Sequence, residues 1–149
     1  MLESRLKAVQ ETRSEWYARF ELWNTTKQSI HSKTHAKNIQ PRRIYWVSIG
    51  QNVGSEVYGK DSTFTRPVLV LNVFYNQLFL GVSLSSKTKG KSGKLYHKFT
   101  DSKGKLQVAL LGQIRVFDSK RVERLLANVD TKEFALIKHK VKENIIGKD

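Results

Sequence analysis

Apolar residues near the start of the chain recur at helical spacing. They form one stripe on a helix that we expect to end near residue 23, with Arg13 interrupting the stripe: Leu2, Leu6, Val9, Trp16, Phe20 and Trp23. Thr25 with Gln28 is a capping-box signature, which predicts a break after residue 23 and a short second helix reaching about residue 30. Large aromatic residues on such a stripe usually pack into a core, and we expect this here. Residues 31–40 are polar and precede Pro41, which indicates a linker.

From residue 43 the spacing of apolar residues changes to alternation, which is typical of strands. Strands are predicted at 44–49, 66–74, 78–84, 95–99, 106–111 and 114–117. A long connection over residues 50–65 separates the first two of them. The turn sequence Asp101-Ser102-Lys103-Gly104 joins the fourth and fifth strands as a hairpin.

Two helices are predicted after the strands. Asp118 or Ser119 can cap a short helix ending near Ala127, and Asp130 with Glu133 caps a final helix. The final helix carries its apolar residues on one face: Phe134, Ile137, Val141 and Ile145. Short strands separated by turns favour a small β-barrel whose ends the helices cover. The predicted fold class is mainly β with α additions, divided into a helical arm and linker (1–39) and a barrel domain (40–149).

Cysteine is absent from the 149 residues, which excludes disulfides and any zinc site built on thiolates. This composition fits a reducing compartment such as the cytosol. No apolar run approaches the ~18 residues that a membrane helix needs, and the acidic start of the chain is not that of a signal peptide. We therefore expect a cytoplasmic protein that does not enter a membrane.

The chain carries 27 Lys and Arg against 13 Asp and Glu, a formal charge of +14. Such a surplus favours a polyanionic partner, which could be nucleic acid, an anionic membrane face or an acidic protein. The surplus is uneven, because seven lysines and one acid lie between Ser85 and Lys105. We expect the lysines of the loop after Ser85 to follow a phosphate backbone: Lys87, Lys89, Lys91 and Lys94. The four histidines do not form a convincing metal set, and no metal or cofactor is expected.

Four motifs, taken in order, resemble those of the MazF/PemK toxins. They are Gly54-Ser55-Glu56, Thr65-Arg66-Pro67-Val68-Leu69-Val70, Leu84-Ser85-Ser86, and Gln113-Ile114-Arg115-Val116-Phe117-Asp118 with Arg121. The family carries G-x-E in its first long loop, R-P-V-L-V on the next strand, T-S at the end of another strand and a Q-I-R-x-x-D-x-x-R run. The resemblance covers roughly residues 40 to 145, and four motifs in register are hard to obtain by chance. Residues 20–30 also resemble an N-terminal arm that some PemK-like proteins carry.

The resemblance implies an SH3-like barrel, usually a homodimer, that acts as the toxin of a toxin–antitoxin pair. Such toxins cleave single-stranded RNA without a metal ion. The 2′-hydroxyl attacks the phosphate and leaves a 2′,3′-cyclic phosphate and a 5′-hydroxyl end. An acidic antitoxin protein holds them inactive. Single-stranded RNA, an acidic antitoxin and a second copy of the chain are therefore the expected partners.

Cleavage of this kind needs a proton acceptor for the 2′-hydroxyl, charge compensation at the phosphorane and a proton for the departing 5′-oxygen. The resemblance gives charge compensation to Arg66, whose guanidinium can bind two phosphoryl oxygens. The structural alternative is an ion pair with Glu56. Ser85 and Ser86 stand where the family has threonine and serine, and their hydroxyls can donate to the phosphate or cap a strand end.

Three further residues have open roles. Glu56 is either the general base or an anchor of the first loop. Gln113 reads a base edge or holds a loop, and Arg115 contacts RNA or pairs with a nearby acid, Asp118 or Glu123. For Gln113 and Arg115 we expect the structural role.

The sequence also departs from the family pattern. Some relatives have an arginine and an acid where Leu110 and Gly112 stand, so that pair is excluded and the proton acceptor stays open. Some have histidine at the position of Ser55. His97 is a candidate replacement at the RNA site, although a lone strand histidine is more often a surface residue. Two other functions compete: a catalytically silent nucleic-acid-binding barrel and a CcdB-like poison of a protein target.

Overall fold

The computed structural model describes residues 2–34, 37–75 and 77–147, with side chains described from residue 13 onward. Helix α1 (Leu2–His31) precedes the strands, and helix α2 (Thr131–Lys140) follows them. The strands are β1 (Arg43–Ser48), β2 (Thr65–Phe74), β3 (Leu78–Ser85), β4 (Tyr96–Thr100), β5 (Leu106–Leu110), β6 (Arg115–Asp118) and β7 (Val122–Asn128). The predicted class, mainly β with α additions, is confirmed.

Seven strands of the described residues form one antiparallel sheet in the order β4-β5-β3-β2-β1-β7, with β6 paired to β3. β3 is the central strand, because it pairs β2 along one edge and shares its other edge between β6 and β5. The hydrogen-bonded path does not close into a ring. Ser85, the last residue of β3, therefore lies between β2 on one edge and Val108 of β5 on the other.

Alternating residues of the strands fill two apolar clusters of the described residues, one for each face of the sheet. Leu69 and Leu71 of β2 belong to one cluster, while Val68 and Val70 belong to the other. The helical segment after β7 covers the first cluster with Ile137 and Val141, as the sequence predicts, and Phe134 and Ile145 pack against it. Asp130 caps α2 by accepting hydrogen bonds from the backbone N–H groups of Lys132 and Glu133.

The predicted break after residue 23 is wrong, because α1 continues to His31. The hydroxyls of Thr25 and Thr26 donate to the carbonyls of Glu21 and Leu22, four residues earlier, instead of capping a new helix.

The aromatic residues of α1 do not all join the core. Trp23 is buried, but Trp16 is 54% exposed and Phe20 is 42% exposed. The expected core role is therefore wrong for these two. Leu2, Leu6 and Val9 lie outside the described side chains.

The predicted helix between Asp118 and Ala127 is also wrong. Asp118 caps a single 3₁₀ turn (Ser119–Arg121) by accepting from the backbone N–H of Lys120 at 2.8 Å. The chain then enters β7, which pairs with β1. Pairing with the free edge of β1 buries Val122 and Ala127, and this tertiary contact overrides the local helix preference.

Candidate functional site

Arg66 and Ser85 line one cavity at the junction of β2 and β3. The pairing of β2 with β3 places Val68 opposite Ser83. Continuing this antiparallel register by two residues places Arg66 opposite Ser85 on the same face. The cavity between them has a volume of about 130 Å³. Its polar lining is Lys60, Asp61, Thr65, Arg66, Ser85, Ser86, Lys105 and Gln107.

The Arg66 guanidinium is half-buried and not neutralised. Its Nε donates to the Tyr58 carbonyl, and the guanidinium carbon lies 5.7 Å from the centre of the Tyr58 ring. Burial lowers the pKa of Arg66 below its ordinary value, and the interaction with Tyr58 opposes this shift. Within the described part of the chain no carboxylate forms an ion pair with it, so the alternative pairing with Glu56 is not formed. Its terminal nitrogens are left to bind an anion.

The two serines at the end of β3 differ in exposure. Ser85 is 6% exposed, and its Oγ accepts a hydrogen bond from the Lys87 backbone N–H at 3.2 Å. Its hydroxyl proton is still available as a donor. Ser86 is exposed and follows at the mouth of the cavity.

A wider groove continues from Arg66 toward β6. A cavity of about 460 Å³ is lined by Glu56, Tyr58, Arg66, Lys91 and Gln113 among others. A further cavity of about 580 Å³ shares Glu56 and Gln113 with it and adds Arg115. The structure therefore brings most of the predicted site residues to one groove.

Glu56 and Gln113 both hold the loop after β1. Glu56 Oε1 accepts from the Val53 backbone N–H at 3.0 Å. The Gln113 side chain accepts from Val57 N–H at 3.0 Å and donates to the Ser55 carbonyl at 3.1 Å. These contacts are the loop-holding alternatives that the sequence left open for both residues.

Arg115 does not form the expected ion pair. Asp118 caps the 3₁₀ turn, and Glu123 lies 3.8 Å from the Lys33 ammonium. The Arg115 guanidinium instead lies 4.6 Å over the Phe117 ring. Burial lowers the pKa of Arg115, and Glu56 opposes the shift.

The lysine loop borders the groove. Lys87 and Lys89 are exposed, while the Lys91 ammonium donates to the Lys87 carbonyl at 2.8 Å and lines the 460 Å³ cavity. Lys60 joins these cations from the loop between β1 and β2, a position that sequence analysis treated only as a connection. Burial is the largest cause lowering the pKa of Lys60, followed by repulsion from Arg66 and Lys87. A single lysine in a long loop has no sequence pattern that could have revealed it.

His97 does not line the cavity of Arg66 and Ser85, and it lines a separate cavity with Lys91 and Lys94. Its Nε2 is 3.1 Å from a carboxylate oxygen of Glu133 on α2, and its side chain is 11% exposed. This contact joins β4 to α2.

The described residues contain no group of three or more His, Asp or Glu side chains able to hold a metal ion. Nor do they include a helix that is both long and apolar enough to span a bilayer.

One protein family matches most of the chain. The family described as PemK-like, MazF-like toxin of type II toxin-antitoxin system matches residues 40–145. Among proteins with curated descriptions, none matches the chain significantly.

Several solved structures have a similar fold. The structure of MazF (Form-I) from Deinococcus radiodurans has a TM-score of 0.58 and 23% identity, covering 74% of this chain and 97% of that one. A MazE-MazF (Form-II) structure from the same organism has a TM-score of 0.54 and 19% identity, covering 76% of this chain and 99% of that one. An endoribonuclease in complex with its cognate antitoxin, from a mycobacterial species, has a TM-score of 0.56 and 10% identity. The match covers 72% of this chain and 94% of that one.

Proposed function

Because the chain belongs to the PemK-like, MazF-like toxin family of type II toxin–antitoxin systems, we propose that it is an endoribonuclease that cleaves single-stranded RNA without a metal ion. One observation carries the proposal: Arg66 and Ser85 line the same cavity, and no carboxylate of the described residues forms an ion pair with the guanidinium. A cavity with a half-buried cation and a buried hydroxyl donor is suited to a phosphodiester.

In the proposed reaction the 2′-hydroxyl of the RNA attacks the adjacent phosphorus, and the bond to the 5′-oxygen breaks. Arg66 stabilises the charge that develops on the non-bridging oxygens, and its high pKa makes it a poor general base. Ser85 donates a hydrogen bond to one of these oxygens. Lys87, Lys89 and Lys91 bind the neighbouring phosphates.

The positive charge of the groove also supports an acidic protein partner. The groove is basic within a chain of charge +14, and one structural neighbour is an endoribonuclease in complex with its cognate antitoxin. We infer that an acidic antitoxin protein covers the groove and blocks access of RNA. We also infer a homodimer that acts in the cytoplasm.

Cleavage of a single-stranded RNA in EDTA tests this function. Replacing the scissile 2′-hydroxyl with hydrogen should abolish the reaction, because the nucleophile is gone. Arg66→Ala should lower the single-turnover rate by about two to three orders of magnitude, as loss of one preorganised charge stabiliser does. Arg13→Ala removes the same charge from an exposed position on α1 and is the matched control.

Intact RNA after prolonged incubation, with binding retained, would replace this proposal by the silent nucleic-acid-binding barrel. Growth arrest with intact RNA and a co-purifying protein would favour the poison of a protein target.

A further inference from the structure

The loop between β1 and β2 brings two additional ionisable residues to the cavity of Arg66 and Ser85. Lys60 and Asp61 both line it. Among the described residues that line this cavity, Asp61 is the only acid. A proton donor and a proton acceptor therefore stand beside the proposed phosphate site.

The backbone of this loop is tightly closed around Lys60. Lys60 N–H donates to the Thr65 carbonyl at 2.9 Å, and Thr65 N–H donates back to the Lys60 carbonyl at 3.1 Å. Gly59 makes the closure possible, because a Cβ at this position would lie 1.8 Å from the Phe64 carbonyl oxygen. Gly59 N–H also donates to the Gly50 carbonyl at 2.7 Å. The turn is thus fixed to the end of β1.

Helix α1 holds the same turn from its outer side. The Arg19 guanidinium donates to the Asp61 carbonyl at 2.8 Å and to the Gly59 carbonyl at 3.1 Å. It also lies 4.1 Å over the ring of Phe64, which is fully buried. One side chain therefore binds the backbone on both sides of Lys60.

We propose that Asp61 accepts the proton of the attacking 2′-hydroxyl, that Lys60 protonates the departing 5′-oxygen, and that Arg19 is the residue that positions both. The inference rests on the proposed function and completes it. As the bond between the 2′-oxygen and phosphorus forms, the proton of that hydroxyl moves to the Asp61 carboxylate. As the bond from phosphorus to the 5′-oxygen breaks, a proton leaves the Lys60 ammonium, and solvent then returns a proton from Asp61 to Lys60.

Two observations favour these residues over the alternatives. Glu56 is held by the Val53 N–H, and Leu110 and Gly112 exclude the arginine–acid pair of some relatives. Burial and repulsion by Arg66 lower the pKa of Lys60, so its ammonium gives up a proton more readily than that of an ordinary lysine. Both assignments therefore rest on placement in the cavity, and the lowered pKa of Lys60 agrees with its role as the acid.

The first test is the pH dependence of the single-turnover rate. Wild-type protein should lose rate on the alkaline side of its profile, where Lys60 no longer carries the proton that the departing 5′-oxygen needs. Lys60→Met should remove this alkaline limb, and Lys60→Met and Asp61→Asn should each lower the maximal rate by about 10²-fold. The charge-matched controls Glu15→Gln and Lys103→Met, at exposed positions, should keep the wild-type rate and profile.

A substrate with sulfur in place of the departing 5′-oxygen separates the two roles. A thiolate leaves without a proton, so Lys60→Met should cleave this substrate within a few-fold of wild type. Asp61→Asn should stay slow on it, because the 2′-hydroxyl must still lose its proton. A lysine that only stabilised the loop would show the same defect on both substrates.

Arg19 is tested by a variant that keeps its charge. Arg19→Lys cannot bind both carbonyls, and displacement of the loop should lower the single-turnover rate roughly 10–100-fold. The affinity for a 2′-deoxy analogue should change less than about two-fold, since the phosphate-binding lysine loop is untouched. Arg13→Lys is the control on the same helix.

The outcomes separate this inference from the proposed function. Wild-type protein that leaves RNA intact overturns both. Wild-type protein that cleaves, with the full rate kept by Asp61→Asn and the alkaline limb unchanged in Lys60→Met, overturns the inference alone. If Arg19→Lys keeps the full rate, Arg19 does not position Lys60 and Asp61.

Discussion

Replacing Gly50 with alanine tests how α1 is seated on the sheet. Gly50 is buried and has a φ of +95°, a backbone region that costs an L-residue about 1–2 kcal/mol. A Cβ at this position would also lie 2.5 Å from Cε2 and from Cζ2 of Trp23. Overpacking of this kind costs about 1–3 kcal/mol, because the indole must move and α1 must move with it. We expect Gly50→Ala to incur both costs.

Gly93→Ala is the matched control. Gly93 has a φ of +93°, but no atom lies within 4 Å of a Cβ built there. Urea denaturation should therefore give Gly50→Ala a free energy of unfolding lower than that of Gly93→Ala by about 1–3 kcal/mol. Amide hydrogen exchange in α1 should accelerate in Gly50→Ala alone. Equal free energies of unfolding and unchanged exchange in α1 would refute the idea that Trp23 rests on Gly50.

Three further predictions concern the charges. His97→Ala should lower the free energy of unfolding by about 1 kcal/mol by removing the contact with Glu133, while the rate of RNA cleavage stays at the wild-type value. Lys89→Ala should reduce the slope of log affinity against log salt for single-stranded RNA by about 0.7 if it contacts one phosphate, and an unchanged slope would remove it from the RNA path. Lys60→Met should not destabilise the fold at neutral pH in thermal denaturation. The pKa of Lys60 is lowered in the folded state, so its charged form opposes folding, and stability should rise with pH through that lowered pKa in wild type but not in the variant.

Local patterns predicted the elements whose deciding contacts lie close together in the sequence. β4 and β5 form a hairpin around a turn that Asp101 fixes, its Oδ1 accepting from the Lys103 and Lys105 N–H groups. Asp130 caps α2 as predicted. In each case neighbours in sequence make the deciding contacts, so the sequence contains the necessary information.

The wrong predictions share a different cause. Residues 122–128 form β7 because β1 offers them an edge, and this partner is far away in sequence. Thr25 resembles a helix cap, but its hydroxyl bonds the carbonyl of Glu21 and the helix continues. Both outcomes depend on competition between a local pattern and an alternative partner that spacing does not reveal.

Some residues of the candidate site could be predicted from the sequence, and others could be found only in the structure. Motif order identified Arg66 and Ser85, and the register of β2 on β3 explains why these two lie together. Lys60 and Asp61 lie in a loop without periodicity, and Arg19 belongs to a helix forty residues earlier in the chain. Arg19 reaches this loop because α1 packs on it through Trp23 and Phe64, whose ring centres are 5.3 Å apart.

The charged forms of three basic side chains in the groove are less stable in the folded chain than they would be in water. Burial is the largest cause that lowers the pKa of Lys60, Arg66 and Arg115. A polyanion that binds only the folded chain offsets this cost and raises the free energy of unfolding by RT ln(1 + [L]/Kd). Under the proposed function, RNA and an acidic antitoxin gain affinity from the same charges and must therefore compete for the groove. An antitoxin that binds without weakening the affinity for a 2′-deoxy oligonucleotide would have to use another surface, and the basic groove would then account for RNA binding alone.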